Sequence, residues 1–233
     1  MATTENELLE ADERDPQDRP EAHDRDRRDR PEPPPLDPER AARREAALRH
    51  VRKLGDPALR TRALPVERFD DALRGELQRM GQLMSEAIGI GLAATQLGVM
   101  HRALVYRVDP AGQVVALVNP EVEWRGKEQE PFDEGCLSLP GIHVEVERPI
   151  HVRVRARDEH EQELLIEASG LEARVLQHEI DHLDGILMLD RATREQRKLA
   201  MRALREAREA GAPGDEPDES DTPDDPAAVN GSG

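Results

Sequence analysis

Residues 177–185 read Gln-His-Glu-Ile-Asp-His-Leu-Asp-Gly, a stretch with the spacing of a metal-binding helix. His178 and His182 have i, i+4 spacing, which places both imidazoles on one face of a helix, where they can hold one metal ion. Glu179 stands beside the first histidine, where it can accept a proton from water at that metal. A helix with two solvated histidines stays open as the alternative, because short patterns of this kind also arise by chance.

The helix that carries this stretch is predicted to begin after Ser169 and to end near Leu183. Ser169 and Glu172 have the spacing of a capping box, and Gly185 follows the last turn as a C-cap signal. A second helix is expected over residues 194–209, ahead of an acidic C-terminal tail.

Upstream of this helix the sequence predicts strands. Residues 142–147 and 152–156 alternate apolar and polar side chains, which is typical of strands with one buried face. Other short β-prone runs lie at residues 102–108, 114–118, 122–125 and 163–168, and an apolar repeat at helical spacing covers residues 69–87. We therefore expect an α+β fold in which antiparallel strands pack around a central metal-binding helix, with a further helix at the C-terminus.

A metal site of this kind needs a third protein ligand and an open coordination position. The metzincin protease pattern would place a histidine at position 188, but the residue there is Met188. Cys136, within Glu-Gly-Cys-Leu-Ser-Leu-Pro at 134–140, completes a Cys-His-His set, and thiolate binds borderline metals well. Cys136 can equally be a packed structural residue, so this alternative stays open.

A third motif, Gly-Ile-Gly-Leu-Ala-Ala-Thr-Gln at 89–96, is rich in small residues that allow backbone or ligand to approach closely. It does not fit the dinucleotide-binding fingerprint, because Ala94 replaces the third glycine and no strand precedes the motif. A turn that ends the preceding helix is the plainer interpretation of this segment.

The charge of the chain is concentrated at its ends. The formal net charge is −17, of which residues 1–40 and residues 211–233 each contribute −7. Such segments have too little apolar surface to offset chain entropy, so we expect disordered tails at 1–45 and 211–233 around a domain at 46–210. The chain has no apolar run long enough to span a bilayer and no apolar leader, which favours a cytoplasmic protein without membrane partners.

Taken together, the three motifs resemble those of the peptide deformylase family, in the order 89–96, 134–140 and 177–185. The likeness runs from about Arg52 to Leu199. It implies metal-dependent hydrolysis of the formyl group from the N-terminal formyl-methionine of nascent proteins, with release of formate. General zinc metalloprotease activity and a non-catalytic, ribosome-associated role are the alternatives, and DNA is not expected as a partner.

The resemblance also implies roles for matching residues. Cys136, His178 and His182 would bind the metal, and Glu179 would act as the catalytic acid and base. The metal of the family is usually ferrous iron, with zinc, nickel or cobalt as substitutes. The spacing of these residues in the sequence does not distinguish iron from zinc.

Further roles concern the substrate. Gln96, through its side-chain amide, and Leu137, through its backbone N–H, would hold the formyl oxygen. Gly91 would pair with the substrate backbone. The pocket for the methionine side chain would be formed by Ile90, Leu171, Val175 and His178.

The expected C-terminal helix is strongly basic. In the family, a helix of this sort docks on the ribosome near the exit tunnel, and the resemblance suggests the same partner here. A solvated face neutralised by Arg–Glu pairs is the alternative. Its basic residues are Arg194, Arg197, Lys198, Arg202, Arg205 and Arg208.

Overall fold

A computed structural model describes residues 35–209, and every helix and strand named below belongs to one compact unit that begins at Pro38. The α-helices are α1 (Pro38–Leu48), α2 (Asp71–Glu86), α3 (Gly170–Leu183), α4 (Met188–Arg191) and α5 (Arg194–Glu209). The strands are β1 (Gly91–Ala93), β2 (Ala103–Tyr106), β3 (Val115–Arg125), β4 (Gln129–Cys136), β5 (Leu139–Pro149), β6 (His151–Arg157) and β7 (Glu163–Ser169). Short 3-10 helices cover Pro57–Arg60 and Ala94–Leu97.

The strands form two antiparallel sheets. Five of them lie in the order β1-β2-β3-β6-β7, and β4 pairs with β5 as a separate hairpin. The predicted α+β class, with antiparallel strands around a central helix and a helix at the C-terminus, is confirmed.

Helix α3 is the central helix, and apolar side chains fix it against the larger sheet. Leu176 and Leu183 are fully buried, and they pack in one cluster with Leu104 of β2 and Val154 of β6. Burying one such side chain stabilises a fold by about 1.5–3 kcal/mol. The same helix therefore presents its polar motif from a rigid position.

The start of α3 differs from the predicted capping box. Ser169 is the N-cap residue, but its side chain makes no capping hydrogen bond. The reason is that Ser169 is also the last residue of β7, where it pairs with His151. Glu172 instead accepts a hydrogen bond from the Tyr106 hydroxyl (2.9 Å), which joins the first turn of α3 to the sheet. The other end agrees with the prediction, because Gly185 adopts a positive φ of 74° just after the helix.

The runs at 114–118 and 122–125 form one strand, β3, instead of two. The interruption is Asn119, which adopts a positive φ of 52° at an irregularity in the pairing with β6. Its side-chain amide exchanges two hydrogen bonds with the backbone of Val66, at 2.8 and 2.9 Å. This long-range contact holds the strand together where the local sequence, Asn-Pro, signals a turn.

Helix α1 runs through residues 38–45, which the sequence analysis assigned to the N-terminal tail. Pro38 is its first residue, a position where the missing N–H of proline has no cost. Ala47 near its end is buried in the core cluster that includes α2, so apolar contacts hold the helix in place. Most of the N-terminal tail and all of the C-terminal tail lie outside the described residues, so the predicted boundaries stay predictions. Within residues 35–209, no helix is both long enough and apolar enough to cross a membrane.

Candidate metal centre

Two elements distant in sequence, β4 and α3, bring Cys136, His178 and His182 together. Both histidines project from α3, and Cys136 is the last residue of β4. Their ligand atoms all lie within 4.8 Å of one another, with Cys136 Sγ 3.2 Å from His182 Nε2. One metal ion could therefore be reached by all three.

The orientation of His178 is fixed by Glu134, which lies two residues before the cysteine. Its Oε2 atom is 3.0 Å from His178 Nδ1. A carboxylate beside Nδ1 favours the tautomer that carries its proton there, which leaves Nε2 free to bind a metal.

A buried chain of charges in turn holds Glu134. Arg148 donates two hydrogen bonds to its carboxylate (2.6 and 3.0 Å) and a third to Asp181 of α3 (2.8 Å). Arg174 donates another to Glu134 (2.8 Å). Burial raises the pKa of Glu134, but hydrogen bonds from His178 and Arg148 outweigh this effect and lower the pKa to about 2. Glu134 therefore stays ionised and keeps His178 in place.

Cys136 and the two histidines of the cluster affect each other's protonation. Burial raises the pKa of the Cys136 thiol, but the adjacent His182 and His178 lower it well below its ordinary value. Burial lowers the pKa of His178, whereas its contacts with Cys136 and Glu134 raise it well above its ordinary value. These opposite shifts favour a thiolate at Cys136, which is the form that binds metal.

Glu179 lies beside the cluster and against the backbone of Gly91. Glu179 is only 5% exposed, and its carboxylate atom Oε2 has no hydrogen-bond partner within residues 35–209. A Cβ atom placed on Gly91 would be 2.3 Å from Glu179 Oε1, so any larger residue at this position would displace the carboxylate. Burial raises the pKa of Glu179, although His178 and His182 oppose the shift.

Gln96 reaches the cluster from the 3-10 helix after β1. Its Oε1 accepts a hydrogen bond from the Ala93 backbone N–H (2.9 Å), and its Nε2 donates to Ser138 Oγ (3.1 Å). Nε2 also lies 3.7 Å from Cys136 Sγ. The amide group of Gln96 is therefore held with its donor facing the metal-binding residues.

A pocket of about 390 Å³ opens beside these residues. Its walls include most of the side chains that the sequence analysis singled out for the site, namely Ile90, Gly91, Gln96, Cys136, Leu137, Val175, His178 and Glu179. His182 lies deeper and is buried behind the pocket. Leu171 is 48% exposed and is not among the lining residues, so its part in binding stays a prediction.

The family model for polypeptide deformylase matches residues 48–198. A peptide deformylase of Acidothermus cellulolyticus is 48% identical over 156 residues, which cover 67% of this chain and 85% of the relative. The chain belongs to the peptide deformylase family.

Solved structures of the family agree in fold. A peptide deformylase of Synechococcus elongatus in complex with actinonin superposes with a TM-score of 0.64 at 37% identity, over 75% of this chain and 90% of that one. A peptide deformylase of Legionella pneumophila gives a TM-score of 0.66 at 37% identity, over 71% and 98%. Peptide deformylases are metal-dependent hydrolases, so this chain is an enzyme of that class. Neither the protease nor the non-catalytic alternative is supported.

Sequence reasoning missed several residues at this deformylase site. Arg148 and Asp181 have no local signal, because each acts through partners far away in the chain. The sequence analysis also did not anticipate that the pocket reaches α1. The additional lining residues include Arg44, Leu48, Ile88, Phe132 and His143.

Proposed function

We propose that this peptide deformylase hydrolyses the N-formyl group of nascent formyl-methionyl peptides, releasing formate and a free N-terminus. The observation that carries this proposal is the proximity of a Cys-His-His cluster to the buried carboxylate of Glu179, whose Oε2 has no hydrogen-bond partner among the described residues. This set supplies the groups that amide hydrolysis needs, a metal-binding centre and a proton acceptor beside it.

The donor set fits one divalent cation. Two imidazoles and a thiol with a lowered pKa form a three-ligand site, and His178 has the carboxylate partner that metal-binding histidines usually have. We propose Cys136, His178 and His182 as the ligands. When bound, the ion supplies Lewis acidity, which brings the pKa of water from ~16 towards ~7.

Glu179 is assigned the proton transfers. It accepts a proton from the water that attacks the formyl carbon, and it returns that proton to the amine nitrogen as the carbon–nitrogen bond breaks. Its position suits both steps, because it is buried beside the ligands and is held against Gly91. Formate and the free α-amine are then the products.

The formyl oxygen is assigned to two donors, the Gln96 side-chain amide and the Leu137 backbone N–H. Removing one donor of this kind typically costs ~3–4 kcal/mol of transition-state stabilisation. Gly91, on β1 at the edge of the five-stranded sheet, is assigned to pair with the backbone of an extended substrate. The methionine side chain would then lie against Ile90 and Val175, with Leu171 further out.

The test is formate release from formyl-Met-Ala-Ser by anaerobically purified enzyme, with the metal content measured on the same sample. We expect stoichiometric formate and Met-Ala-Ser, and no cleavage of the unformylated peptide. Cleavage of internal peptide bonds without formate release would contradict the proposal and favour a general metalloprotease.

We propose ferrous iron as the native metal, supported by the family resemblance. An iron–thiolate site is sensitive to oxygen, because Cys136 can be oxidised to sulfenic and then sulfinic acid. We therefore expect nickel- or zinc-loaded enzyme to stay active in air for longer than iron-loaded enzyme. Mass spectrometry of the peptide that contains Cys136 should show faster oxidation of this cysteine in the iron-loaded enzyme than in the nickel- or zinc-loaded enzyme. Equal inactivation rates for the iron and nickel forms would contradict this assignment.

We also propose that α5 docks on the ribosome. It is amphipathic, with exposed basic residues such as Arg194 and Lys198 beside exposed Leu199, although the Arg202–Glu206 pair neutralises part of the charge. Because ribosomal RNA is a polyanion, binding should weaken steeply as salt rises. We expect cosedimentation with ribosomes at low salt that is lost on Arg194→Glu/Lys198→Glu substitution. Equal sedimentation of both proteins would contradict docking and leave the deformylase assignment intact.

A further inference from the structure

Helix α1 lies almost wholly ahead of the residues that match the family, which begin at residue 48. Even so, Arg44 and Leu48 of this helix line the pocket that contains Glu179. These two residues have i, i+4 spacing and therefore share one face of α1. Arg44 therefore comes from outside the matched region of the chain, and Leu48 is the first matched residue.

The position of Arg44 is fixed by the anchoring of α1. Ala47 and Val51 are buried in the core cluster that includes α2, and Leu48 packs against the same cluster. Arg44 itself is exposed, whereas Glu179 in the same pocket is buried. Arg44 therefore stands at the solvent end of the pocket, on an element that the core holds in place.

The charge of Arg44 is not paired within residues 35–209. The two acids of α1 are engaged elsewhere, Glu39 with Arg43 (3.1 Å) and Glu45 with Arg49 (3.0 Å). The residues at helical spacing from Arg44 are Ala41, Ala47, Arg40 and Leu48, none of which is acidic. No hydrogen bond or ion pair joins Arg44 to another described residue.

Among the described residues that line the pocket, Arg44 is the sole arginine or lysine. The acids there have other roles, because Glu134 is bound to Arg148 and Glu179 lies at the reacting end. Asp133 also lines the pocket and has an interaction of its own. Its negative charge opposes the effect of Arg44, so the net preference must be measured with Asp133 in place.

We propose that Arg44 makes this enzyme favour formyl-peptides that carry a carboxylate side chain downstream of the methionine. This inference rests on the proposed function, which places formyl-methionine at the buried end of the pocket. The rest of the nascent chain must then leave through the solvent end, past Arg44. An acidic side chain there gains an ion pair with a cation that has no partner among the described residues, and a basic side chain is repelled.

The test compares kcat/KM for formyl-Met tripeptides and tetrapeptides that carry Glu, Gln or Lys at the second, third or fourth position. An exposed ion pair supports a preference for Glu over Gln of about two- to five-fold at one of these positions. Arg44→Gln should abolish this ratio, and Arg44→Glu should reverse it in favour of Lys. The ratio should also shrink between about 0.01 M and 1 M salt, because the screening length falls about ten-fold.

The matched control is Arg43→Gln. Arg43 is adjacent on the same exposed helix but is paired with Glu39 and does not line the pocket, so the Glu/Gln ratio should be unchanged. Equal ratios in the wild-type, Arg44→Gln and Arg44→Glu proteins would overturn the inference while turnover of the neutral peptide continues. Absence of formate release from every peptide, the neutral one included, would instead contradict the proposed function itself.

Discussion

Glu179→Gln is expected to lower formate release by at least about 100-fold while the protein keeps its metal, in line with the ~10²–10⁴-fold effect of a general acid–base group. Glutamine has nearly the same shape but cannot accept the proton of the attacking water. Since Glu179 is not one of the three clustered ligand residues, metal binding should persist. Steady-state turnover on formyl-Met-Ala-Ser and the metal-to-protein ratio would be measured on one preparation.

Glu172→Gln is the matched control for this experiment. Glu172 lies on the same helix, but it accepts a hydrogen bond from Tyr106 and is not among the pocket-lining residues. Its turnover should stay close to that of the wild type. Near-normal formate release from metal-loaded Glu179→Gln enzyme would remove Glu179 from the proposed role.

Gly91→Ala is expected to lower turnover by about 100-fold, because misplacing a reacting group by about 1 Å can cost that much. The added methyl group would lie 2.3 Å from Glu179 Oε1 and 2.8 Å from its Cδ, so the carboxylate has to move. Glu179 is not a proposed ligand, so the metal content should be retained. Turnover, metal content and thermal unfolding would be compared with the wild type.

Gly75→Ala provides the control for the backbone change. Gly75 lies on α2, and a Cβ there would have no heavy atom within 4 Å. This substitution should keep full turnover and stabilise the fold by about 0.4–1 kcal/mol, because alanine reduces the entropy of the unfolded chain. Full activity of Gly91→Ala would show that Glu179 can adopt another position without loss, contrary to its assignment.

The parts of the candidate site that the sequence could indicate are those with a local signal. His178 and His182 meet because i and i+4 side chains share a helix face, whatever the rest of the fold does. The class of fold followed from the alternation of apolar residues in strands such as β6, where Val152 and Val154 are buried. In both cases the spacing along the chain fixes the geometry.

What sequence could not predict depends on partners far apart in the chain. Arg148 reaches both Glu134 and Asp181, and no pattern near residue 148 indicates this. Asn119 keeps β3 continuous only because Val66 lies beside it. The Ser169 side chain makes no capping hydrogen bond, because this residue is also paired with His151 as the last residue of β7. In each case tertiary contacts override a local preference.

The proposed ligands are far apart in the chain, with Cys136 at the end of β4 and both histidines in α3. This separation has a consequence for synthesis on the ribosome. Cys136 is synthesised well before His182. Helix α3, which carries both histidines, begins more than ten residues after the end of β6. Contacts between distant segments form late, after the entropy of closing the intervening loop has been lost. A growing chain that stops short of residue 182 therefore lacks a proposed ligand, and each new enzyme molecule can begin to process other nascent chains only after its own residue 182 has been made.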